Sequence, residues 1–583
     1  MKDDRQYSGY RPRIVSFDRV HCAIDFDMSN LSMVEVEGGY VAIDAGSHPT
    51  RVSPVVSEWG RISGGPPVGM IYTHSHIDHV GGGTAFALDD VQVWAQRDFF
   101  SEIELMQLLA VAYSRRGSRQ FGMVLEEGEV DPYGIGRPLR ASPGAHPRLI
   151  APNNLLDERA EIEIGGTKFV LQRAPGETLD HLFVWIPERR VLFAGDNVYK
   201  AFPNLYPIRG SHPRPVRKWI DSLDAMRRLE PAPELLLLGH TEPVVGAETI
   251  QELLTDYRDA IAFVHDSVLR GINDGKTPDQ LVQEIQLPDH LAGHPYLVES
   301  YGTIRASIRG IFCGYMGWLD GRGVNLDPVT DQEVAPWLID ELGGSKKMLK
   351  RIDDSLNNCD LRRAMWLVRI LECQFPRDRK VRLMLAHVLE QAAEVTTHSL
   401  HRNWLKTEAR ELRNGIQLPK PKINGDSVVG CPVEQMLRLM PSRIDPEKTA
   451  NMEASIEFEF SDTGRRFALL VRRGVGEVCP QWNDQAELKI ECTEENFKRI
   501  LFGREYLTRH SQFWKSLKFS VPEKGLSGQF HRLRRIVKLG RIFLQVGNRA
   551  TPVASQDTHA PRSVVGDSHK QESLPVRDLD GTD

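Results

Sequence analysis

Residues 73–82 read THSHIDHVGG, and this stretch decides the fold. His74 and His76 stand one residue apart, and Asp78 and His79 follow closely, so four candidate metal ligands crowd one turn. A strand end running into a tight turn can aim alternate side chains at two adjacent points. Neutral imidazole and carboxylate suit zinc and similar first-row ions. Gly81, Gly82 and Gly83 let backbone pass close to such a site. His-rich loops also arise on surfaces by chance, so the motif needs its context.

That context extends in both directions. SMVEVEGGYVAIDAG, GMIYTHSHIDHVGG, KFVLQRAPGET, HLFVWIPERRVLFAGDN and ELLLLGH are short apolar strands ending in Gly-rich turns, with helical segments between them. This predicts an α/β fold whose strand ends feed functional loops. From about residue 215 to 325 the pattern turns helical, and residues 331–415 stay helical, with LRRAMWLVRILECQFP and RKVRLMLAHVLEQAAEV joined by a Pro-containing turn. NGIQLPKPKINGD reads as a linker. Beyond it the period becomes two: Ile456, Phe458 and Phe460 share one face, as do Leu488, Ile490 and Cys492, and TGRRFALLVRRGVGEV suits a hairpin partner. The domains expected are 1–325, catalytic with a helical extension; 326–418, helical; 424–548, a small α+β unit; and 549–583, a disordered tail rich in Ser, Thr, Asp, Pro and Gly.

Composition narrows the function. A length of 583 residues implies about three or four domains at ~100–200 residues each. The net charge of -6 gives no sign of nucleic-acid binding, and the basic stretch HRLRRIVK reads as a solvated helix face. No apolar run reaches the ~18 residues of a membrane span. The N-terminus MKDDRQYSGYRPR lacks the apolar core of a secretory signal, so a cytoplasmic location is expected. The seven cysteines are scattered, form no C-x-x-C pair, and read as buried thiols.

The THSHIDHVGG motif resembles the signature of the metallo-β-lactamase superfamily, and further motifs follow in that superfamily's order. YVAIDAG resembles the strand whose Asp, here Asp44, supports the metal loop; APGETLDH falls at the place of a Pro-Gly-His-Thr sequence; VLFAGDN places Asp196 as a bridging carboxylate; LLLLGHTEP supplies His240. The resemblance implies an αββα sandwich holding two Zn2+ ions per chain, or other divalent metals. His74, His76 and Glu177 would bind one ion, Asp78, His79 and His240 the other, with Asp196 between them and Asp180 and His181 as orienting partners. His181 is the alternative ligand should Glu177 face solvent.

Glu177 in place of the usual His resembles the alkyl sulfatase branch. RRGSRQFGMVLEEGE resembles that branch's loop-helix insert, FPNLYPIRG its Asn-Leu-Tyr-x-x-Arg-Gly segment, and YGTIRASIRGIFCGYMGWLDG its Tyr-Gly-Thr and Gly-Trp helix. The helices of 331–415 resemble its all-α dimerisation domain, and the C-terminal part, more loosely, its sterol-carrier-protein-type α+β domain. Asp196 and His181 depart from that branch, which usually carries Glu at both places.

The resemblance implies a homodimeric hydrolase that cleaves sulfate esters of alkyl alcohols to alcohol and sulfate. Two metals ~3.5–4 Å apart can activate a hydroxide at neutral pH. Asp78 and Asp196 would serve that water. Arg209 would hold the anion through its planar fork. Asn204 and Tyr206 could donate further hydrogen bonds, and Tyr315 could line the pocket for a small amphiphilic ester. Two other readings stay open: a two-metal hydrolase of a carboxylic ester, lactone or phosphodiester, and a non-catalytic scaffold built on the helical domain.

Overall fold

Tyr40 and Ala42 face one side of their strand and Val41 and Ile43 the other, and all four are buried. Side chains alternate across a strand, so this sheet is covered on both faces. The computed structural model describes residues 10–86, 91–126, 128–139, 149–415, 430–480, 486–502 and 518–520. Most of the expected linker, the HRLRRIVK stretch and the tail 549–583 lie outside the described residues.

The first sheet runs in sequence order: β1 (Arg13–Phe17), β2 (Val20–Ile24), β3 (Leu31–Val36), β4 (Gly39–Ile43), β5 (Pro67–Ile71), β6 (Gln92–Gln96) and β7 (Asn154–Leu156). It is antiparallel to β4 and parallel from β4 to β7. The parallel half needs crossovers, supplied in part by α1 (Pro49–Ser63), α2 (Ile77–Val80), α3 (Phe99–Leu108) and α4 (Ala110–Gln120). The second sheet contains β8 (Arg159–Ile164), β9 (Thr167–Arg173), β10 (Leu182–Ile186), β11 (Val191–Phe193), β12 (Leu235–Leu237) and β13 (Val244–Val245), in the order β13-β12-β11-β10-β9-β8. Only β11 and β12 pair in parallel there, after α5 (Val216–Arg227) crosses between them.

Val41, Ile43 and Ile71 of the first sheet pack against Leu171, Val184 and Phe193 of the second, forming the layer between the sheets. On the outer side of the first sheet, Tyr40, Ala42 and Tyr72 meet Trp59 of α1 and Phe99 of α3. On the outer side of the second, Phe183 and Trp185 meet Trp219 of α5 and the long α6 (Ala247–Asn273). The result is the expected αββα sandwich.

The all-α region continues through α7 (Pro278–Glu284), α8 (Asp289–Ala292), α9 (Ile304–Met316), α10 (Asp331–Glu341), α11 (Ser345–Asn357), α12 (Leu361–Gln374), α13 (Arg379–Val395) and α14 (Ser399–Asn414). Side chains start several of these helices: Thr277 and Thr330 form capping boxes with Gln280 and Glu333. The C-terminal unit is a sheet of β14 (Glu453–Phe460), β15 (Arg466–Arg472), β16 (Val475–Pro480), β17 (Leu488–Cys492) and β18 (Lys518–Ser520), ordered β16-β15-β14-β17-β18. Its strand β14 buries Ala454, Ile456, Phe458 and Phe460 on one face, as the period-two pattern requires.

The cysteines are not all buried, although their scatter suggested it. Cys22, Cys431 and Cys492 are buried, but Cys313 and Cys359 are exposed, because they sit outside the sheets on the helical region's surface. All seven are free thiols. Among the described residues no helix is long and apolar enough to cross a membrane.

Candidate metal centre

Ligands gather where strands end. Because β4 and β5 run parallel, as do β11 and β12, their C-terminal ends deliver Asp44, His74, Asp196 and His240 to one edge of the sandwich. Two groups of donor atoms form there: Asp78, His79, Asp196 and His240, and His74, His76 and Asp196. Within each group the ligand atoms lie within 4.8 Å of one another. Asp196 belongs to both.

The imidazoles are fixed from behind. Asp44 stands at φ 61°, a left-handed conformation that Asp tolerates, and accepts from Thr73 N at 2.7 Å and Thr73 Oγ1 at 2.8 Å. His79 Nδ1 lies 2.7 Å from Asp44 Oδ2, His240 Nδ1 3.0 Å from the Met28 carbonyl, and His74 Nδ1 3.1 Å from Thr73 Oγ1. With each outer nitrogen engaged, Nε2 of all three turns inward. The inward atoms surround Asp196 Oδ2, at 3.2 Å from His79, 3.1 Å from His240 and 3.7 Å from His74. Asp78 Oδ2 lies 3.6 Å from His79 Nε2 and 3.5 Å from His240 Nε2. His74 Nε2 is 3.0 Å from His76 Nδ1.

The approach is close enough to demand glycine. A Cβ on Gly239 would fall 2.1 Å from Asp196 Oδ1, and one on Gly195, itself at φ 53°, would fall 2.6 Å from His181 Nε2.

The electrostatics fit cations. Burial works against charge on Asp196, but the His240 and His79 imidazoles hold its carboxyl well below the usual range. Desolvation lowers His74 and His76, leaving neutral rings. His79 Nε2 and Asp196 Oδ1 are buried without hydrogen-bond partners among the described residues. The neutral His74 and His76 rings and the ionised Asp196 carboxylate fit a pair of divalent ions, which would replace the protons that Asp196 otherwise favours on His79 and His240.

Other expected residues fall as follows. His181 Nε2 accepts from Asp196 N at 3.0 Å, so its lone pair is occupied; its ring stacks on His74, and burial pushes it down to about 3. Asp180 is buried, and burial pushes its carboxyl up to about 7 against the pull of Thr178 and Ser75. Glu177 lies outside both donor groups. One of its oxygens is 3.9 Å from His76 Nδ1 and the other is in tight contact with Arg214 Nη1. Burial pushes the Glu177 carboxyl up, and Arg214 pulls it back.

Arg214 had no sequence motif to mark it. Its guanidinium and the Glu177 carboxylate are each only 2% exposed. Beside them is a cavity of about 510 Å³. One end carries His76, Glu177, Arg209 and Arg214; Ile103, Met106, Phe121, Met123, Leu139 and Leu149 make much of the remainder apolar. Arg209 is held by its backbone N–H, which donates to Gln120 Oε1 at 2.9 Å, and its Nη1 is buried without a partner.

Three residues expected at the substrate are placed elsewhere. Tyr315 is 55% exposed on α9, with its hydroxyl 2.9 Å from His265 Nε2. Tyr206 packs against Gly310 of the same helix. Asn204 is buried, its N–H donating to the Tyr199 hydroxyl. None of the three lines the cavity. The segment folds back onto α9, and Arg209 reaches the cavity wall while they do not.

Comparison with known families gives three matches: Metallo-beta-lactamase superfamily over residues 24–240, Alkyl sulfatase dimerisation over 277–415, and Alkyl sulfatase C-terminal over 421–515. The chain is 29% identical over 496 residues to a linear primary-alkylsulfatase of Pseudomonas sp., covering 82% of this chain and 93% of the relative. It is 28% identical over 500 residues to an alkyl/aryl-sulfatase of Saccharomyces cerevisiae, covering 83% of this chain and 76% of that protein. The solved structure of a stereoselective inverting sec-alkylsulfatase from Pseudomonas sp. superimposes with a TM-score of 0.82 at 25% identity, over 91% of this chain and 84% of that one. With the sandwich, the donor groups at its edge and these matches in agreement, the chain belongs to the metallo-β-lactamase superfamily, as a hydrolase carrying alkyl sulfatase dimerisation and C-terminal domains.

Proposed function

We propose that the protein hydrolyses sulfate esters of medium-chain alkyl alcohols, releasing alcohol and sulfate, with two zinc ions per chain. The carrying observation is the cavity, apolar over most of its wall and cationic at the end beside the donor groups. That shape fits an amphiphile with one anionic head. The curated relatives are sulfatases by name, which supports the same reading.

Bound metals would lower the pKa of water and polarise the ester at this edge. His74 and His76 would hold one ion, with Glu177 at the margin of that group; Asp78, His79 and His240 would hold the other, and Asp196 both. Asp196 Oδ1, buried without a partner among the described residues, would accept a hydrogen bond from the attacking water and orient it. Arg209 offers the unspent Nη1 to a sulfate oxygen, and Arg214 its unspent Nε. Charged hydrogen bonds of this kind are short and directional. A single-charged sulfate ester needs this limited cationic set. A carboxylic ester or phosphodiester is the competing substrate class, favoured by the hold of His181 on the shorter Asp196.

Homodimerisation belongs to the same proposal. Trp318, Val324, Leu326 and Trp337 are 70%, 82%, 65% and 61% exposed in the single chain, within the span that matches the dimerisation family. Exposed apolar side chains of this size support an interface with a second copy.

The test pairs elemental analysis with sulfate release from octyl sulfate. About two zinc ions per chain with sulfate release, abolished in Arg209→Ala at full metal content, is expected. Two metals with hydrolysis of carboxylic or phosphate esters instead would overturn the substrate class, and failure to bind metal after reconstitution would overturn the whole reading.

A further inference from the structure

One wall residue does not suit a plain hydrocarbon chain. Glu102, in the first turn of α3, lines the cavity between apolar neighbours such as Ile103 and Met106. Among the described residues its carboxylate has no hydrogen bond or ion pair. It is half-buried, and burial pushes its carboxyl up, Asp98 adding to the rise and Arg214 opposing it. The N-terminal end of α3 favours a negative charge at this position, so the helix offsets part of that cost. Tyr113 of α4 stands on the same wall, its ring against Gly210, within electrostatic reach of both Glu102 and Arg209. No hydrogen bond engages its hydroxyl among the described residues.

A polar group in a cavity wall without a partner costs free energy unless the ligand completes it. For a purely aliphatic tail, Glu102 is a liability: the tail strips water from the carboxylate and returns nothing. A tail that carries a hydrogen-bond donor removes the penalty, and a protonated amine adds a charge pair in a poorly hydrated setting. Discrimination built on a buried polar partner is stronger than discrimination by a methylene alone.

The geometry points to Glu102, with Tyr113 beside it, as a second recognition point that selects sulfate esters whose carbon chain bears a hydrogen-bond donor, an ammonium or a hydroxyl, away from the ester. This rests on the sulfate ester reading above, for the anionic end. Both signs of charge then line one cavity, Glu102 lying within electrostatic reach of Arg214. Arg209 and Arg214 take the sulfate, and Glu102 takes the donor.

Non-hydrolysable alkane sulfonates test the inference without turnover. The probes are octane sulfonate and a series of ω-amino and ω-hydroxy alkane sulfonates of four to eight carbons, measured by calorimetry on the zinc-loaded full chain. At least one amino or hydroxy member is expected to bind tenfold or more tighter than the unsubstituted sulfonate of equal length. Glu102→Leu is expected to erase or invert that ratio, Glu102→Gln to keep the hydroxy preference while losing the amino one, and Tyr113→Phe to weaken the hydroxy member. A ratio equal in wild type and Glu102→Leu overturns the inference, as does the absence of sulfonate binding. Sulfate release from the matching esters is scored separately. Donor-selective binding without sulfate release would refute the hydrolase proposal and leave this one standing; sulfate release without donor selectivity would do the reverse.

Discussion

Arg214→Leu removes one half of an ion pair in which both side chains are 2% exposed. The Glu177 carboxylate then stays buried with Arg209 as a more distant cation and no direct partner. Breaking a buried pair on one side costs roughly 3–5 kcal/mol. At roughly 2–4 °C per kcal/mol for a unit of 150–250 residues, the midpoint of thermal unfolding in chelator falls by roughly 6–20 °C. Zinc changes the arithmetic. Dications held as proposed, with Glu177 at their margin, would supply the missing countercharge, so the loaded protein should lose only about 1–2 kcal/mol, the cost of one broken hydrogen-bonded contact. Glu177→Gln combined with Arg214→Leu removes both charges and should recover most of the metal-free loss. Differential scanning calorimetry of the three proteins, each with chelator and with zinc, provides the readout. Arg214 also lies over the Trp219 ring, 6.0 Å from its centroid. A loss of equal size with and without zinc, and no recovery in the double variant, would make Arg214 a packing residue and refute the charge argument.

Asp44→Asn keeps the φ of 61° tolerable but weakens the acceptor that fixes His79 through Nδ1; zinc affinity measured by chelator competition should fall about 10–100-fold, with secondary structure unchanged. Trp318→Asp with Trp337→Asp places charges in the exposed apolar surface of the helical region; sedimentation equilibrium should show the dimer constant weakened by about 100-fold or more, at ~1.5–3 kcal/mol per lost large side chain. His398 caps α14 and reaches the Tyr301 carbonyl at 3.2 Å from Nε2, and burial pushes its pKa down to about 4. A folded pKa below the unfolded value of ~6.5 means that the unfolded chain binds the extra proton first. The stability present above pH ~6.5 is therefore lost as pH falls toward 4, by up to ~3 kcal/mol. His398→Gln should flatten the pH dependence between those limits in denaturant titrations; an unchanged slope would exclude His398 as its source.

How far the sequence could be read follows from where each residue's information lies. His74, His76, Asp78 and His79 sit on one turn, so their spacing alone exposes them. Asp196 and His240 are legible because each follows a strand whose apolar run is continuous, VLF and LLLL being buried on both faces. The period-two faces of β14 and β17 carry the C-terminal sheet in the same local way. Arg214 is different. It lies beyond the Arg-Gly turn in a Pro-flanked stretch with no period, and its chemistry exists only because α5 brings Trp219 beneath it and the β9–β10 loop brings Glu177 against it. Glu102 is hidden for the opposite reason. On α3 it reads as an ordinary first-turn acid, and nothing in its neighbours tells that the helix presents it to a cavity instead of water. Tyr206 and Tyr315 show the converse: their motif points to the substrate, while contacts with Gly310 and His265 keep one against α9 and the other on its surface, outside the cavity wall. Ligands that act through local spacing are therefore readable, whereas a substrate wall made of side chains from distant segments becomes visible only when the chain is folded.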